Sequence, residues 1–186
     1  NEKSYRSSRN GNGQSAGFSI LNFLFKFMTN QGFSKNEPFH KKIVYSLLHT
    51  FFRPASAVDA FVLNKDTGVS VFYVIIFALS CGLLSVNFFG NGLVSFVEGF
   101  VMSIILISIL TVLLILSFRF FIKIKYKFWD LLSTLCASFI YMTLFFLIAS
   151  SSTGSLMYSL AVIFSGTSTG ALLNYLSLKR FSGMES

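Results

Sequence analysis

Charged residues are absent from three long stretches of the chain. Residues 67–97, 99–118 and 131–178 contain no Asp, Glu, Lys or Arg, and most of their side chains are apolar. Each stretch equals or exceeds the roughly 20 apolar residues that cross a bilayer as an α-helix. The pattern therefore predicts helices that span a membrane.

Turn-forming residues divide two of these stretches. The last stretch is too long for one span, since a helix crosses the hydrocarbon in about 17 to 25 residues. Its middle, residues 149–157, reads ASSSTGSLM. The first stretch contains Asn87, Gly90, Asn91 and Gly92, which favour a turn. We predict a four-helix transmembrane domain over residues 67–178, with spans at about 70–88, 93–118, 131–149 and 156–176.

The composition supports the same class of protein. Of the 186 residues, 53% are hydrophobic and only 12% are charged, and the mean hydropathy is +0.68. Soluble domains carry about 25% charged residues. We therefore expect an all-α integral membrane protein, with four transmembrane helices preceded by amphipathic cytoplasmic or interfacial helices.

The basic residues predict the orientation of the spans. All 15 Lys and Arg residues lie before the first span, between the second and third spans, or after the fourth. Cytoplasmic loops carry an excess of Lys and Arg. We therefore predict a multi-pass protein with both termini cytoplasmic and a short cytoplasmic tail at 179–186. In this setting the net charge of +8 indicates contacts with lipid headgroups rather than nucleic-acid binding.

The region before the spans divides into a polar tail and an amphipathic part. Residues 1–17 are rich in Ser, Asn and Gly, a composition that cannot build a core and indicates a flexible tail. Residues 18–66 form the predicted amphipathic part. Within it, residues 18–33 are apolar on nearly all sides and too short for a full span, so we expect a helix lying at the interface.

Residues 39–53 show the periodicity of an amphipathic helix, which Pro54 interrupts. Ser56 followed by Asp59 fits a capping box that opens a second short helix. The apolar side of the first helix must be buried in lipid or in protein. We favour a protein partner, because the basic residues are fewer than the four to eight typical of lipid-directed clusters. The residues predicted to meet a partner or the membrane surface are Phe51, Leu47, Ile43, Lys41, Lys42 and Arg53.

Two segments resemble the Yip family of multi-span membrane proteins. The stretch LLHTFFRPASAVDAFVLNKDTGVSVFYVIIFALSCGLLS is similar to the start of that family's first span, and KIKYKFWDLLSTLCASFIYMTLFFLIA is similar to its basic loop and third span. The resemblance extends from about Leu47 onward. Family members commonly have five spans and a proline in the third, whereas we predict four spans and find no proline in the third. The resemblance implies a role in membrane trafficking, where eukaryotic members are associated with Rab-type GTPases.

The fourth span carries a pattern of small residues. Gly166 and Gly170 lie four residues apart, with Ser165 and Thr169 beside them, and this spacing lets two helix backbones approach closely. We expect the fourth span to be central to the bundle or to a dimer, with packing inside the bundle as the simpler interpretation. A substrate path lined by its hydroxyl groups is a further alternative.

Glu98 is the one charged residue between the first two uncharged stretches. It falls about one and a half turns into the second span, on the side away from the basic loops, where its carboxylate can reach water at the outer headgroups. The alternative is an ion- or proton-coupling carboxylate, because acids inside a membrane are functional by default.

No pattern of catalytic or metal-ligating residues stands out. Cys81 and Cys136 fall within spans, and the two histidines lack metal-ligand spacing, so we expect no metal and no cofactor. Asp59, Asp66 and Asp130 each stand alone at a helix end, where helix capping explains them. We therefore expect no enzymatic activity.

The sequence favours a non-enzymatic membrane scaffold or accessory subunit. It would act through helix packing and its cytoplasmic face on other integral membrane subunits, on a second copy of itself, or on membrane lipids. The alternative is a small transporter or channel subunit that uses Glu98 and the polar fourth span.

Overall fold

The fold is built from helices. A computed structural model describes residues 37–122, 127–151 and 156–183, and within these ranges the chain has no strand. The predicted tail at 1–17 and the predicted interfacial helix at 18–33 lie outside the described residues. The elements are α1 (Phe39–Phe52), α2 (Pro54–Asn64), α3 (Thr67–Phe89), α4 (Leu93–Ser117) with a following π-helical turn (Phe118–Ile122), α5 (Phe128–Ser151) and α6 (Leu156–Phe181).

Two short helices, α1 and α2, precede the spans. Proline has no backbone N–H to donate and is tolerated only in the first turn of a helix, so Pro54 ends α1 and opens α2. The predicted capping box is wrong, because Arg53 occupies the N-cap position and Ser56 lies inside α2. Lys65 adopts a left-handed conformation with a φ of 46°, which ends α2 and turns the chain into α3.

Four helices, α3 to α6, are long and apolar enough to cross a membrane. The predicted all-α membrane fold is therefore confirmed. The 23 residues of α3 extend about 34 Å, slightly more than a hydrocarbon core of about 30 Å. Gly90 and Gly92 have φ values of 71° and 55° in the turn between α3 and α4, which a side chain would strain.

The third span, α5, lies at the centre of the bundle. Every residue from 131 to 140 is buried, and Phe139 and Phe146 pack on Phe77 of α3. In contrast, α6 packs mainly on α5 and α4 mainly on α3, and both helices are largely uncovered. The expectation that the fourth span is central to the bundle is therefore wrong, whereas its role in a dimer stays a prediction.

One end of the bundle carries α1 and α2, and we call it the basic end. It comprises these two helices, the first turns of α3 and α5, the end of α4 with its π-helical turn, and the last turns of α6. The described Lys and Arg residues all belong to these elements or to the segments joined to them. At the opposite end, the Asn87 amide donates to the Ala149 carbonyl at 3.3 Å, linking the ends of α3 and α5.

Candidate functional site

The side of α1 that faces the protein is its polar side. Lys42, Ser46, His49 and Thr50 are buried, whereas Leu47 is 41% exposed. A helix on the surface of a soluble protein shows the opposite arrangement, with apolar residues towards the core. Several of these buried side chains contact residues of α2 and α3. We call the resulting site the polar junction, and it comprises Lys42, Ser46, His49, Asp66 and Tyr73.

An ion pair connects α1 to the start of the first span. Lys42 Nζ lies 2.6 Å from Asp66 Oδ2, with the two side chains only 10% and 20% exposed. The other oxygen of Asp66 accepts from the backbone N–H groups of Gly68 and Val69 at 3.1 and 3.2 Å, so the predicted cap is confirmed. Burial favours a higher pKa for Asp66, but the bonds from Lys42 and Val69 outweigh it and lower that pKa.

A second contact between α1 and α3 joins two hydroxyl groups. The Ser46 and Tyr73 oxygens are 2.6 Å apart, and the Tyr73 hydroxyl also donates to the Ile43 carbonyl at 2.8 Å. Tyr73 is only 3% exposed and lies nearly two turns inside α3. The polar junction therefore continues from the ion pair into the bundle.

His49 lies between the two short helices. It is 2% exposed, and its Nδ1 lies 3.4 Å from the hydroxyl of Ser56 on α2. Burial lowers the pKa of His49, and the charge of Arg53 lowers it further. A lowered pKa favours the neutral imidazole at neutral pH.

Two further aspartates, Asp59 and Asp130, form ion pairs between α2 or the residue that ends it and the ends of the spans. Asp59 Oδ1 lies 3.4 Å from Arg180 Nε on α6, and Asp130 Oδ2 lies 3.7 Å from Lys65 Nζ. In addition, the Ser133 hydroxyl donates to the Phe61 carbonyl at 3.3 Å. The expectation that the three aspartates stand alone is therefore wrong, because each pairs with a cation distant in sequence.

The glycines of the fourth span lie against the third span. A Cβ added to Gly166 would approach Phe145 Cβ to 2.5 Å, and one added to Gly170 would approach Met142 Cγ to 2.8 Å. Both glycines are buried, and their close approach to α5 lies within one chain. Ser165 is exposed, and the hydroxyls of Ser165 and Thr169 donate to carbonyls of their own helix.

A second close helix approach, between α3 and α4, was not predicted from the sequence. A Cβ on Gly82 would lie 2.9 Å from Phe96, and one on Gly99 would lie 2.5 Å from Ser85 Oγ. These glycines are single residues on separate helices and show no repeated spacing. The two glycines contact the neighbouring helix because α3 and α4 pack antiparallel, and the sequence does not show which residues this packing brings together.

Glu98 lies apart from the polar junction. It is exposed on α4, near the end opposite the basic end, and the described residues include no ion pair to it. The structure does not bring it together with the hydroxyl groups of α6, because α4 and α6 pack on different helices. A coupling role for Glu98 stays a prediction.

Of the residues predicted to meet a partner or the membrane surface, the structure buries some and exposes others. Lys42 is buried in the polar junction, and the Phe51 ring packs on the Tyr141 ring with centroids 5.1 Å apart. Ile43 and Arg53 are half-buried. Only Lys41 and Leu47 of the set are exposed.

The described ranges contain no group of three His, Cys, Asp or Glu side chains that could hold a metal ion. Comparison with protein-family models, with curated proteins and with solved structures finds no match to this chain. The resemblance to the Yip family therefore stays a prediction. The geometry defines a multi-pass membrane protein whose described residues include four candidate spans, with a polar junction between its short helices and its bundle.

Proposed function

We propose that the protein is a non-enzymatic membrane scaffold or accessory subunit that binds a partner membrane protein through α6. The observation that supports this function is the composition of the uncovered side of α6. Ala161, Ser165, Ser168 and Ala171 recur there every three or four residues, and all four are exposed. We call these residues the small outer face.

The contrast with α4 strengthens the argument. Both helices are largely uncovered within the chain, but α4 exposes mostly bulky apolar side chains such as Met102, Leu106 and Leu113, whereas α6 exposes small residues beside bulky ones such as Phe164 and Leu172. Of the four spans found in the described residues, α6 has the lowest mean hydropathy. Small residues allow close approach of a second helix, whereas bulky ones keep it distant.

The small outer face differs from the side that carries Gly166 and Gly170. Those glycines are occupied by α5, so packing inside the bundle leaves the small outer face free for a second protein. The buried ion pair and hydroxyl contacts of the polar junction hold α1 and α2 in place at the basic end. A bundle that exposes small residues along an uncovered helix suits an accessory subunit.

Photo-crosslinking in the native membrane tests this function. A photoreactive phenylalanine analogue at Ser168 should crosslink to a protein, and the mass of the product shows whether that protein is a second copy or another subunit. The matched control carries the analogue at Leu106 on the bulky face of α4, where only lipid adducts are expected. Lipid adducts at both positions would contradict the proposal.

A flux measurement separates this function from transport. Purified protein in liposomes should show no ion or solute flux above empty liposomes. Flux that Glu98→Gln abolishes would favour the transporter alternative instead.

A further inference from the structure

A groove opens at the basic end between the π-helical turn after α4 and the last turns of α6. Its volume is about 230 Å³, and its lining residues are Phe118, Tyr175, Leu178, Lys179 and Ser182. Tyr175 and Leu178 lie about one turn apart on α6, and Ser182, directly after the end of α6, continues the same side because its N–H donates to the Leu178 carbonyl at 2.9 Å. This side differs from the one where Gly166 and Gly170 meet α5.

The groove combines an apolar lining with positive charge. The lining is mainly apolar and includes Phe118, Tyr175 and Leu178, together with Lys179. Arg119 directly follows Phe118 and is exposed. Among the described residues, the ion pairs of this end use Lys42, Lys65 and Arg180, and none includes Lys179 or Arg119.

We propose that this groove binds one anionic phospholipid. An acyl chain would lie along Phe118 and Leu178, and the phosphate would lie beside Lys179, with Arg119 adding to the positive potential. Basic pockets between transmembrane helices bind lipid headgroups in this way. The Ser182 hydroxyl already donates to the Lys179 carbonyl at 3.1 Å, so recognition of the phosphate rests on charge.

The positive charge at the groove favours an anionic lipid over a zwitterionic one. Both carry acyl chains that fit an apolar lining, but a zwitterionic headgroup has a cation beside its phosphate, which Lys179 and Arg119 repel. The gain for one cation near an anionic headgroup corresponds to about a fivefold change in affinity. Removal of Lys179 should therefore reduce binding by about this factor.

Native mass spectrometry of the full chain in detergent tests the proposal. Titration with phosphatidylglycerol should give a one-lipid adduct at lower lipid concentration than titration with phosphatidylcholine. Lys179→Gln should weaken phosphatidylglycerol binding about fivefold and remove the preference, whereas Lys179→Arg should keep it. Leu178→Trp, which fills the groove, should weaken binding of both lipids.

Lys41→Gln is the matched control, because Lys41 is an exposed lysine of the basic end that does not line the groove. It should leave the one-lipid adduct unchanged. Equal binding of the two lipids by the unmodified chain would overturn the proposal. Equal losses in Lys41→Gln and Lys179→Gln would also overturn it, since they would indicate a diffuse basic surface. An unchanged melting temperature shows that each variant is folded.

Discussion

Lys42 on α1 and Asp66 at the start of α3 form a largely buried ion pair, with 2.6 Å between Nζ and Oδ2. The two residues are 24 positions apart, so the contact fixes α1 to the first span rather than stabilising α1 alone. Asp66 also caps α3 through its other oxygen. One carboxylate thus caps the first span and also holds α1 against it.

The first prediction concerns this pair. Lys42→Met should lower the free energy of unfolding by on the order of 2 kcal/mol or more, because it leaves Asp66 without its cation in a poorly hydrated position. Asp66→Asn should also destabilise the protein. The double variant should cost less than the sum of the two, with a coupling energy of about 1 kcal/mol or more. Unfolding in mixed micelles by sodium dodecyl sulfate measures these energies.

The control for the first prediction is the ion pair between Lys65 and Asp130. Its atoms are 3.7 Å apart and its side chains are 42% and 30% exposed, so Lys65→Met should cost no more than about 1 kcal/mol. Additive effects of Lys42→Met and Asp66→Asn would show that the pair contributes nothing as a pair.

The second prediction ranks the glycines by what a methyl group would meet. Gly166→Ala should destabilise the protein by about 1 to 3 kcal/mol, because Phe145 Cβ is fixed to its backbone. Gly170→Ala should cost less, since Met142 has a flexible side chain that can move aside. Thermal unfolding in detergent gives the order.

Gly68→Ala serves as the control for this ranking. Its added Cβ would lie 3.4 Å from the nearest atom, Asp66 Oδ1, which is ordinary contact. Alanine is also the better helix former, so this variant should be neutral or slightly stabilising. An equal loss of stability in Gly68→Ala, Gly166→Ala and Gly170→Ala would show that the close approach of α5 and α6 does not determine the effect of these substitutions.

These features differ in how far the sequence could predict them. Charge-free runs locate the four spans, because the bilayer sets a required length of apolar helix. The spacing of Gly166 and Gly170 also marks a close helix contact. The orientation of α1 could not be predicted, because its polar side turns inward to reach Asp66 and Tyr73, and contacts over 24 and 27 positions leave no local pattern.

The third prediction concerns pH. The pKa of His49 is lower in the folded protein than in the unfolded chain, where it is near 6.5. As the pH falls through 6.5, the unfolded chain therefore binds a proton that the folded chain does not. The free energy of unfolding should therefore decrease from pH 7.5 towards pH 5.5, a window chosen about that value. His49→Asn should flatten this part of the profile, measured as melting temperature against pH. An equally steep profile in the variant would exclude His49 as the cause.

Asp66 acts in a separate pH range. Its pKa is lowered in the folded protein, so its contribution is present above the unfolded value of 3.8 and is lost as pH falls towards the folded value. The loss of stability above pH 5.5 therefore does not report on Asp66.

The fourth prediction concerns orientation. In a variant without Cys81 and Cys136, a cysteine at Asn91 should react in intact cells with a membrane-impermeant maleimide. A cysteine at Lys127 should react only after the membrane is permeabilised. The two positions lie at opposite ends of the bundle, and the basic end should be cytoplasmic. The reverse pattern of labelling would invert the topology.

The last prediction concerns what covers the outward side of α1. Leu47 and Phe52 are 41% and 71% exposed, whereas the polar side of α1 is buried in the protein. The Phe51 ring packs on Tyr141, which lies roughly three and a half turns from the start of α5, so the end of α1 reaches into the level of the spans. At that level the apolar side chains of α1 contact hydrocarbon and are therefore not exposed to water.

A nitroxide label tests this prediction in liposomes, in the same variant without Cys81 and Cys136. At position 47 the label should be accessible to oxygen, which concentrates in hydrocarbon, and poorly accessible to a water-soluble nickel chelate. A label at Lys41, on the exposed polar edge of α1, should show the reverse and is the control. Protection of position 47 from both reagents would indicate a protein partner, the alternative that the sequence favoured. If the nickel chelate reached the label at position 47, this side of α1 would lie in water, where exposure of its apolar surface costs about 25 cal/mol per Å².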